Sequence, residues 1–202
     1  DTFTAFGPAE GITFTGRTLE LTNGSTWSTS TLGDVNAGDI FITGTNHVSI
    51  LGINGTNPLG NFNPSGFFSN SLGFFGSQGG AGNIVVTTPK LTMNEGRINT
   101  STASKGSGGN VTINAGVIGI SGEFPNPDVA EPIFGITDLH PSGIFTKTVG
   151  SASEFCSGLC GNGGNVSITT GSLIMGNGSQ IDSGTSNTGG GGDTIGLPTN
   201  QI

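Results

Sequence analysis

Apolar residues in this chain come in pairs two apart, and the pairs recur. The stretch "NIVVTTPKLTMNEGRINT" from Asn83 sets Ile84 and Val86 two apart, then Leu91 and Met93, then Ile98 alone. "NVSITTGSLIMGNGSQIDSGT" from Asn165 repeats this with Val166 and Ile168, Leu173 and Met175, and Ile181. "GITFTGRTLELTNGSTWSTST" from Gly11 repeats it with Leu19 and Leu21, and then Trp27. Alternate residues of a strand face one side, so each pair predicts a short strand with an inward apolar face. No stretch holds the 3.6-residue period of an amphipathic helix for long.

Aligned on G-[DN]-[IV]-x-[IV], the first strand position falls at Ile12, Ile40, Ile84, Val111, Val166 and, more weakly, Thr194. The intervals are 28, 44, 27, 55 and 28 residues. Three of them define a period, and the other two are that period with extra chain. The pattern predicts an all-β parallel β-helix, a β-solenoid. It has about five coils of 27–28 residues with three short strands each, starting near residues 11, 39, 83, 110 and 165. Each strand pairs with its equivalent one coil away, at about 4.8 Å. No coil can bury its apolar face alone, so stacking makes the core. An antiparallel sandwich also alternates, but gives no reason for matched glycines at one period. The glycine-bearing corners are expected at Asn23–Gly24, Glu95–Gly96 and Asn177–Gly178, because Gly and Asn tolerate left-handed backbone.

The extra chain forms two insertions, at about 53–66 and 122–142. Both leave after the second strand of a coil and both end on one phrase, "PSGFFSNS" from Pro64 and "PSGIFTKT" from Pro141. Loops on one edge of a solenoid are a usual place for variable recognition.

Composition sharpens this picture. Glycine is 39 of 202 residues, far above the usual level of about 7%. There is no G-X-Y period, which excludes collagen, and 13 Phe with regular apolar spacing exclude disorder. Only 9% of residues are charged and the net charge is -8. That excludes a nucleic-acid partner, which calls for a basic face, and argues against anionic membranes. No apolar run reaches the roughly 18 residues of a spanning helix, so no membrane insertion is expected. The chain opens at Asp1 rather than Met, and is read as a mature product or an excised piece.

The strings "GNGGNVSITTGSLIMGNGSQIDSGT" and "GSGGNVTINAGVIGISG", with "SGIFTKTVGSASEFCSGLCGNGGN" between them, resemble the β-helical repeat region of filamentous-haemagglutinin-like exoproteins of the bacterial two-partner secretion pathway. The resemblance covers most of the chain from about Gly11. It implies a right-handed winding, export to the bacterial cell surface, and adhesion or another contact role. The "NPSGFF" string at Asn63 is not carried over as that family's "NPNG"-type secretion motif.

Candidate chemistry is sparse. Cys156 and Cys160 in "EFCSGLCG" are read as a small disulfide stapling a surface loop of an exported protein, ahead of free thiols. A zinc site would need two further ligands, and His47 and His140 fall in different coils. The densest ionisable cluster is Glu123, Asp128, Glu131, Asp138 and His140. It is read as a solvated loop, against general acid–base catalysis or Ca²⁺ chelation. The outward middle positions of the strands (Thr13, Glu20, Ser49, Val85, Thr92, Thr112, Gly119, Ser167 and Ile174) carry one acid, not the carboxylate pair of a glycosidase. Thr29 with Thr31, Ser69 with Ser71, Thr100 with Thr102, Thr146 with Thr148, and Ser183 with Thr185 form two hydroxyl columns. They are read as a ladder between neighbouring coils rather than an ice-ordering array. Phe67, Phe68, Phe74 and Phe75 are read as cover for the core where the first insertion rejoins the coil, against a sticky exposed patch.

The expectation is a non-enzymatic extracellular rod segment of an adhesin or filament, part of something longer. Neither a cofactor, a metal nor a catalytic residue is expected. Its partners would be its own chain or identical copies stacked end to end, and host or neighbour-cell surface glycans or proteins. The rival class is a small β-helical carbohydrate-active enzyme, a polysaccharide lyase or hydrolase.

Overall fold

The computed structural model describes residues 9–56, 62–71, 77–123, 141–148, 161–185 and 190–198. Those residues are all strand, turn and irregular chain. The strands are β1 (Ile12–Thr22), β2 (Thr26–Ser28), β3 (Ile40–Leu51), β4 (Ile53–Thr56), β5 (Phe62–Phe68), β6 (Ile84–Asn94), β7 (Gly96–Asn99), β8 (Val111–Ser121), β9 (Gly143–Phe145), β10 (Val166–Met175), β11 (Gln180–Asp182) and β12 (Thr194–Pro198).

They form two parallel sheets. The long sheet runs β1-β3-β6-β8-β10-β12 and the short one β2-β5-β7-β9-β11, with β4 antiparallel on β5. The pairing joins the residues that the sequence aligned. Ile12 faces Ile40, Ile40 faces Ile84, Ile84 faces Val111, Val111 faces Val166, and Val166 faces Thr194.

Each repeat therefore contributes two strands, not three. The first two apolar pairs lie on one long strand. In β6, Ile84, Val86 and Thr88 point inward; Pro89 and Lys90 both point out; then Leu91 and Met93 point inward. Two consecutive outward residues slip the phase by one without breaking the pairing. The second repeat carries a third residue there, Thr45-Asn46-His47, and the register shifts across it.

The core lies between the sheets. Ile40, Ile84, Leu91, Val111, Ile118 and Val166 come from the long sheet, and Phe67, Ile98 and Ile144 from the short one, all fully buried. Trp27 meets Phe14 edge-on at 5.6 Å and Phe67 at 6.0 Å. Two expected core residues differ. Leu173 and Met175 are 41% and 40% exposed. The reason is that β12 pairs only with Val166–Thr170, and no described strand covers Ser172–Met175 on that side.

The corner after each long strand has left-handed backbone at one register position: Asn23, Gly52, Glu95, Gly122 and Asn177, with φ between 50° and 97°. In the middle corner it is Glu95, φ 54°, and not Gly96, that takes this conformation. A side chain there costs about 1–2 kcal/mol. Gly96 is needed for another reason, since a Cβ would lie 2.7 Å from the Ile50 carbonyl oxygen.

The hydroxyl columns face inward. Thr29, Thr31, Ser69, Ser71, Thr100, Thr102, Thr146 and Thr148 are buried, so they are no flat outer array. Nor is the first column a hydroxyl-to-hydroxyl ladder. Thr29 donates to the Gly38 carbonyl oxygen at 2.6 Å, Thr100 to Gly109 at 2.7 Å, Thr146 to Gly164 at 2.6 Å and Ser183 to Gly192 at 2.7 Å. These hydroxyls occupy core-facing positions because each satisfies a glycine carbonyl, buried at Gly38, Gly109 and Gly164, that an aliphatic side chain would leave bare.

Those glycines form a column. A Cβ on Gly82 would collide with the carbonyl oxygen of Gly38, one on Gly109 with Gly82, one on Gly164 with Gly109, and one on Gly192 with Gly164. Beside it runs a ladder in which each backbone N–H meets an Asp or Asn side-chain oxygen of the repeat before. Asn83 N–H donates to Asp39 Oδ1 at 2.7 Å, Asn110 to Asn83 at 3.0 Å, Asn165 to Asn110 at 2.9 Å and Asp193 to Asn165 at 2.8 Å. The G-[DN] pair that opens every repeat after the first is thus a stacking device.

Candidate contact surface

Both insertions stand on the same base. The chain leaves the long sheet through Gly52 or Gly122, the two glycines of the left-handed corner column. It returns by an antiparallel pairing, Ile53 with Pro64 and Glu123 with Pro141. Ser65 N–H then donates to Gly52 O, and Ser142 N–H to Gly122 O, both at 3.0 Å. The two serine hydroxyls are buried clamps. Ser65 donates to Leu51 O at 2.9 Å and accepts from Gly24 N–H at 3.0 Å. Ser142 donates to Gly96 O at 2.9 Å and accepts from Gly96 N–H at 3.2 Å. Plain repeats carry Asn or Glu at the corner; inserted ones carry glycine where the chain must turn outward.

The rest of the shared phrase follows from the pairing. After the serine comes Gly66 or Gly143, then a core residue, Phe67 or Ile144, then an outer ring, Phe68 or Phe145. A Cβ on Gly66 would collide with the Arg97 carbonyl oxygen and touch the Phe68 ring at 3.0 Å. One on Gly143 would collide with the Gln180 carbonyl oxygen and touch the Phe145 ring at 3.1 Å. The glycine lets the next repeat approach and lets the ring lie over it. Phe67 does cover the core and Phe68 is half-buried; Phe74 and Phe75 lie outside the described residues.

A charged cluster seats the second insertion. The Arg97 guanidinium lies 4.9 Å from the Phe145 ring centre, and Lys147 Nζ lies 5.6 Å from it. Arg97 Nε donates to Pro141 O at 3.3 Å, and Lys147 Nζ donates to Asp182 Oδ2 at 2.7 Å. Burial pushes the Asp182 carboxyl up. The bonds from Lys147 and from Gly184 N–H, with the Lys147 charge, outweigh it and hold the group below the ordinary aspartate value. Three successive repeats are tied across the outer face of the short sheet. Sequence reading missed this cluster. Its signal was there: in register, Phe145 faces Asp182, and Arg97 faces Gly143.

The remaining candidates are spread out. Glu123 stands at the base of the second insertion, its carboxylate against Gly178. Asp128, Glu131, Asp138 and His140, and the proposed pair Cys156 and Cys160, lie outside the described residues. His47 is on the long sheet, its Nε2 3.1 Å from Glu20 Oε1. Among the described residues no three His, Cys, Asp or Glu side chains converge on a metal-sized space. No family model, curated protein or solved structure matches this chain.

Proposed function

We propose that this chain is a non-enzymatic segment of an exported bacterial surface protein of the filamentous-haemagglutinin type. Its two sheets wind as a right-handed parallel β-helix, in keeping with the strong right-handed bias of parallel crossovers. The repeats are a rod that continues by end-to-end stacking. The two insertions are its contact surface toward glycans or proteins of a host or neighbouring cell.

One observation carries this reading: two loops of different sequence and length rise from bases that share four features. The corner glycine, the antiparallel pair, the buried serine and the outer Phe recur in both. Their bases are two rungs apart, about 10 Å at the spacing of paired strands. A frame that holds its base constant while the loop above varies is built for recognition rather than for a fixed chemistry.

The test replaces residues 54–63 and 124–140, separately and together, by the short Asn-Gly corner of a plain repeat. Beads coated with each protein are then applied to films of mucin and of intact bacterial cells. The reading expects unchanged cooperative melting and lost bead adhesion. Adhesion that survives the double replacement contradicts it. So does release of reducing ends from a polysaccharide panel that disappears with Asp138→Ala, which would favour the enzyme class.

A further inference from the structure

The outer face of the long sheet carries almost no charge. The strands β1, β3, β6, β8 and β10 hold three charged residues between them, Arg17, Glu20 and Lys90, in a chain of net charge -8. His47 holds Glu20, its Nε2 3.1 Å from Glu20 Oε1. Arg17 and Lys90 are exposed. Among the described residues neither of these two side chains has a hydrogen-bonded or ionic partner.

The two cations flank an irregular rung. In β3 the extra residue of Thr45-Asn46-His47 shifts the register against both neighbouring strands. Arg17 sits at that shift on β1, between Gly16 and Thr18. Lys90 sits at it on β6, just before Leu91, which pairs with Val48. The bulge therefore has a cation on each side, one strand spacing of about 4.8 Å away. Bulges re-aim side chains and are over-represented next to functional sites. Thr45 and Asn46 are exposed here. Four residues back along β3, about 13 Å at the rise of a strand, Phe41 is 43% exposed on the same face. Its neighbours in register are the smaller Thr13 and Val85. Thr43, exposed, lies between the ring and the bulge.

We propose that this face binds a linear acidic polysaccharide along β3: a sugar carboxylate lies over the bulge between Arg17 and Lys90, and a sugar further along the same chain lies on the Phe41 ring. A carboxylate between two exposed cations gains charge-assisted hydrogen bonds from both sides. The apolar C–H face of a sugar ring covers an aromatic side chain that no other described ring covers. The Thr43 hydroxyl can donate to and accept from the sugar hydroxyls between them. The span from ring to bulge is longer than one sugar, so the ligand is a chain and not a monosaccharide. An acidic peptide fits less well. Extended peptides dock by their backbone on an open strand edge, and β3 is paired on both sides. The face points sideways, away from the stacking edges and apart from the insertions. It goes beyond the contact-surface reading and does not depend on it.

Biolayer interferometry at low salt tests this with three immobilised probes: hyaluronan, which has a carboxylate on every second sugar, its methyl ester, and polyglutamate. Wild type is expected to bind hyaluronan, more weakly as salt screens the charges, and to bind the other two far less. Arg17→Gln and Lys90→Gln should each weaken binding about threefold, and the double variant about tenfold, the scale of exposed ion pairs. Phe41→Thr should weaken it about fivefold and Phe41→Tyr, which keeps the ring, should not. Lys105→Gln removes an exposed cation that is not on the long strands and should bind as wild type. All these side chains point outward, so melting temperatures should be unchanged, and the tyrosine and glutamine variants keep the test if threonine disturbs the strand. Wild type that does not bind hyaluronan overturns the proposal. So does equal binding of the ester or of polyglutamate, or a loss in Lys105→Gln equal to that in Lys90→Gln. Adhesion of the loop variants to mucin and cells is read separately, so failure here leaves the contact-surface reading standing, and the reverse.

Discussion

Thr100 and Gly109 hold each other twice. The Thr100 hydroxyl donates to the Gly109 carbonyl oxygen at 2.7 Å, and the Gly109 N–H donates back to the Thr100 carbonyl oxygen at 3.0 Å. The pair closes the end of one repeat onto the start of the next. It recurs at Thr146 with Gly164 and at Ser183 with Gly192.

Removing the hydroxyl tests that closure. Thr100→Val keeps the shape and leaves a buried carbonyl without its side-chain partner, which costs about 1–3 kcal/mol. Urea unfolding should show a lower midpoint with an unchanged slope. Thr100→Ser, which keeps the donor, should recover most of the loss. A valine variant as stable as wild type would mean the column is only packing.

Glycine should matter by position rather than by count. Gly109→Ala sets a Cβ against the Gly82 carbonyl oxygen and should cost at least the roughly 1–3 kcal/mol of an overpacked core. Gly119, in β8, has nothing within 4 Å of where its Cβ would be. Gly119→Ala should therefore be neutral or more stable by about 0.5–1 kcal/mol, since glycine loses more freedom on folding. The melting temperature should fall for Gly109→Ala and hold or rise for Gly119→Ala, and equal shifts would refute the stacking role.

The Lys147–Asp182 pair should appear on the acid side. Asp182 is held below the ordinary aspartate value in the folded chain. A folded pKa below the unfolded one stabilises the fold above the unfolded pKa, and that contribution is lost as pH falls through the folded pKa. Both side chains are partly exposed, so the pair is worth no more than about 1 kcal/mol. Lys147→Gln should be less stable than wild type near neutrality, and the difference should shrink as Asp182 protonates. A difference that stays constant into acid would assign the Lys147 effect to its packing on Phe145.

Much of this fold was legible because its register is written in short-range signals. Glycine followed by Asp or Asn, then an aliphatic residue, marks each place where the ladder and the glycine column must start. The insertions were legible because they interrupt a counted period. Other features needed three dimensions. Thr100 and Thr146 stand out as a hydroxyl column, but only the structure shows that each donates to a buried glycine carbonyl rather than to its neighbour in the column. Leu173 has the same pattern as Leu91, and only the missing cover on one side separates them. Arg97, Phe145, Lys147 and Asp182 are far apart in sequence and meet only once register is known.

Residues one repeat apart are neighbours in one register, even across the second insertion. Ser167 and Thr112 are such a pair, 55 residues apart and both on the outward face. Paired strands lie about 4.8 Å apart, within reach of a disulfide. With Cys156 and Cys160 replaced by serine, Thr112→Cys/Ser167→Cys should form an intramolecular disulfide under mild oxidation, resolved by electrophoretic shift. Thr112→Cys/Ile168→Cys, whose second residue points into the core, should not. Equal yields in the two, or none in the first, would contradict the stacked register and the account built on it.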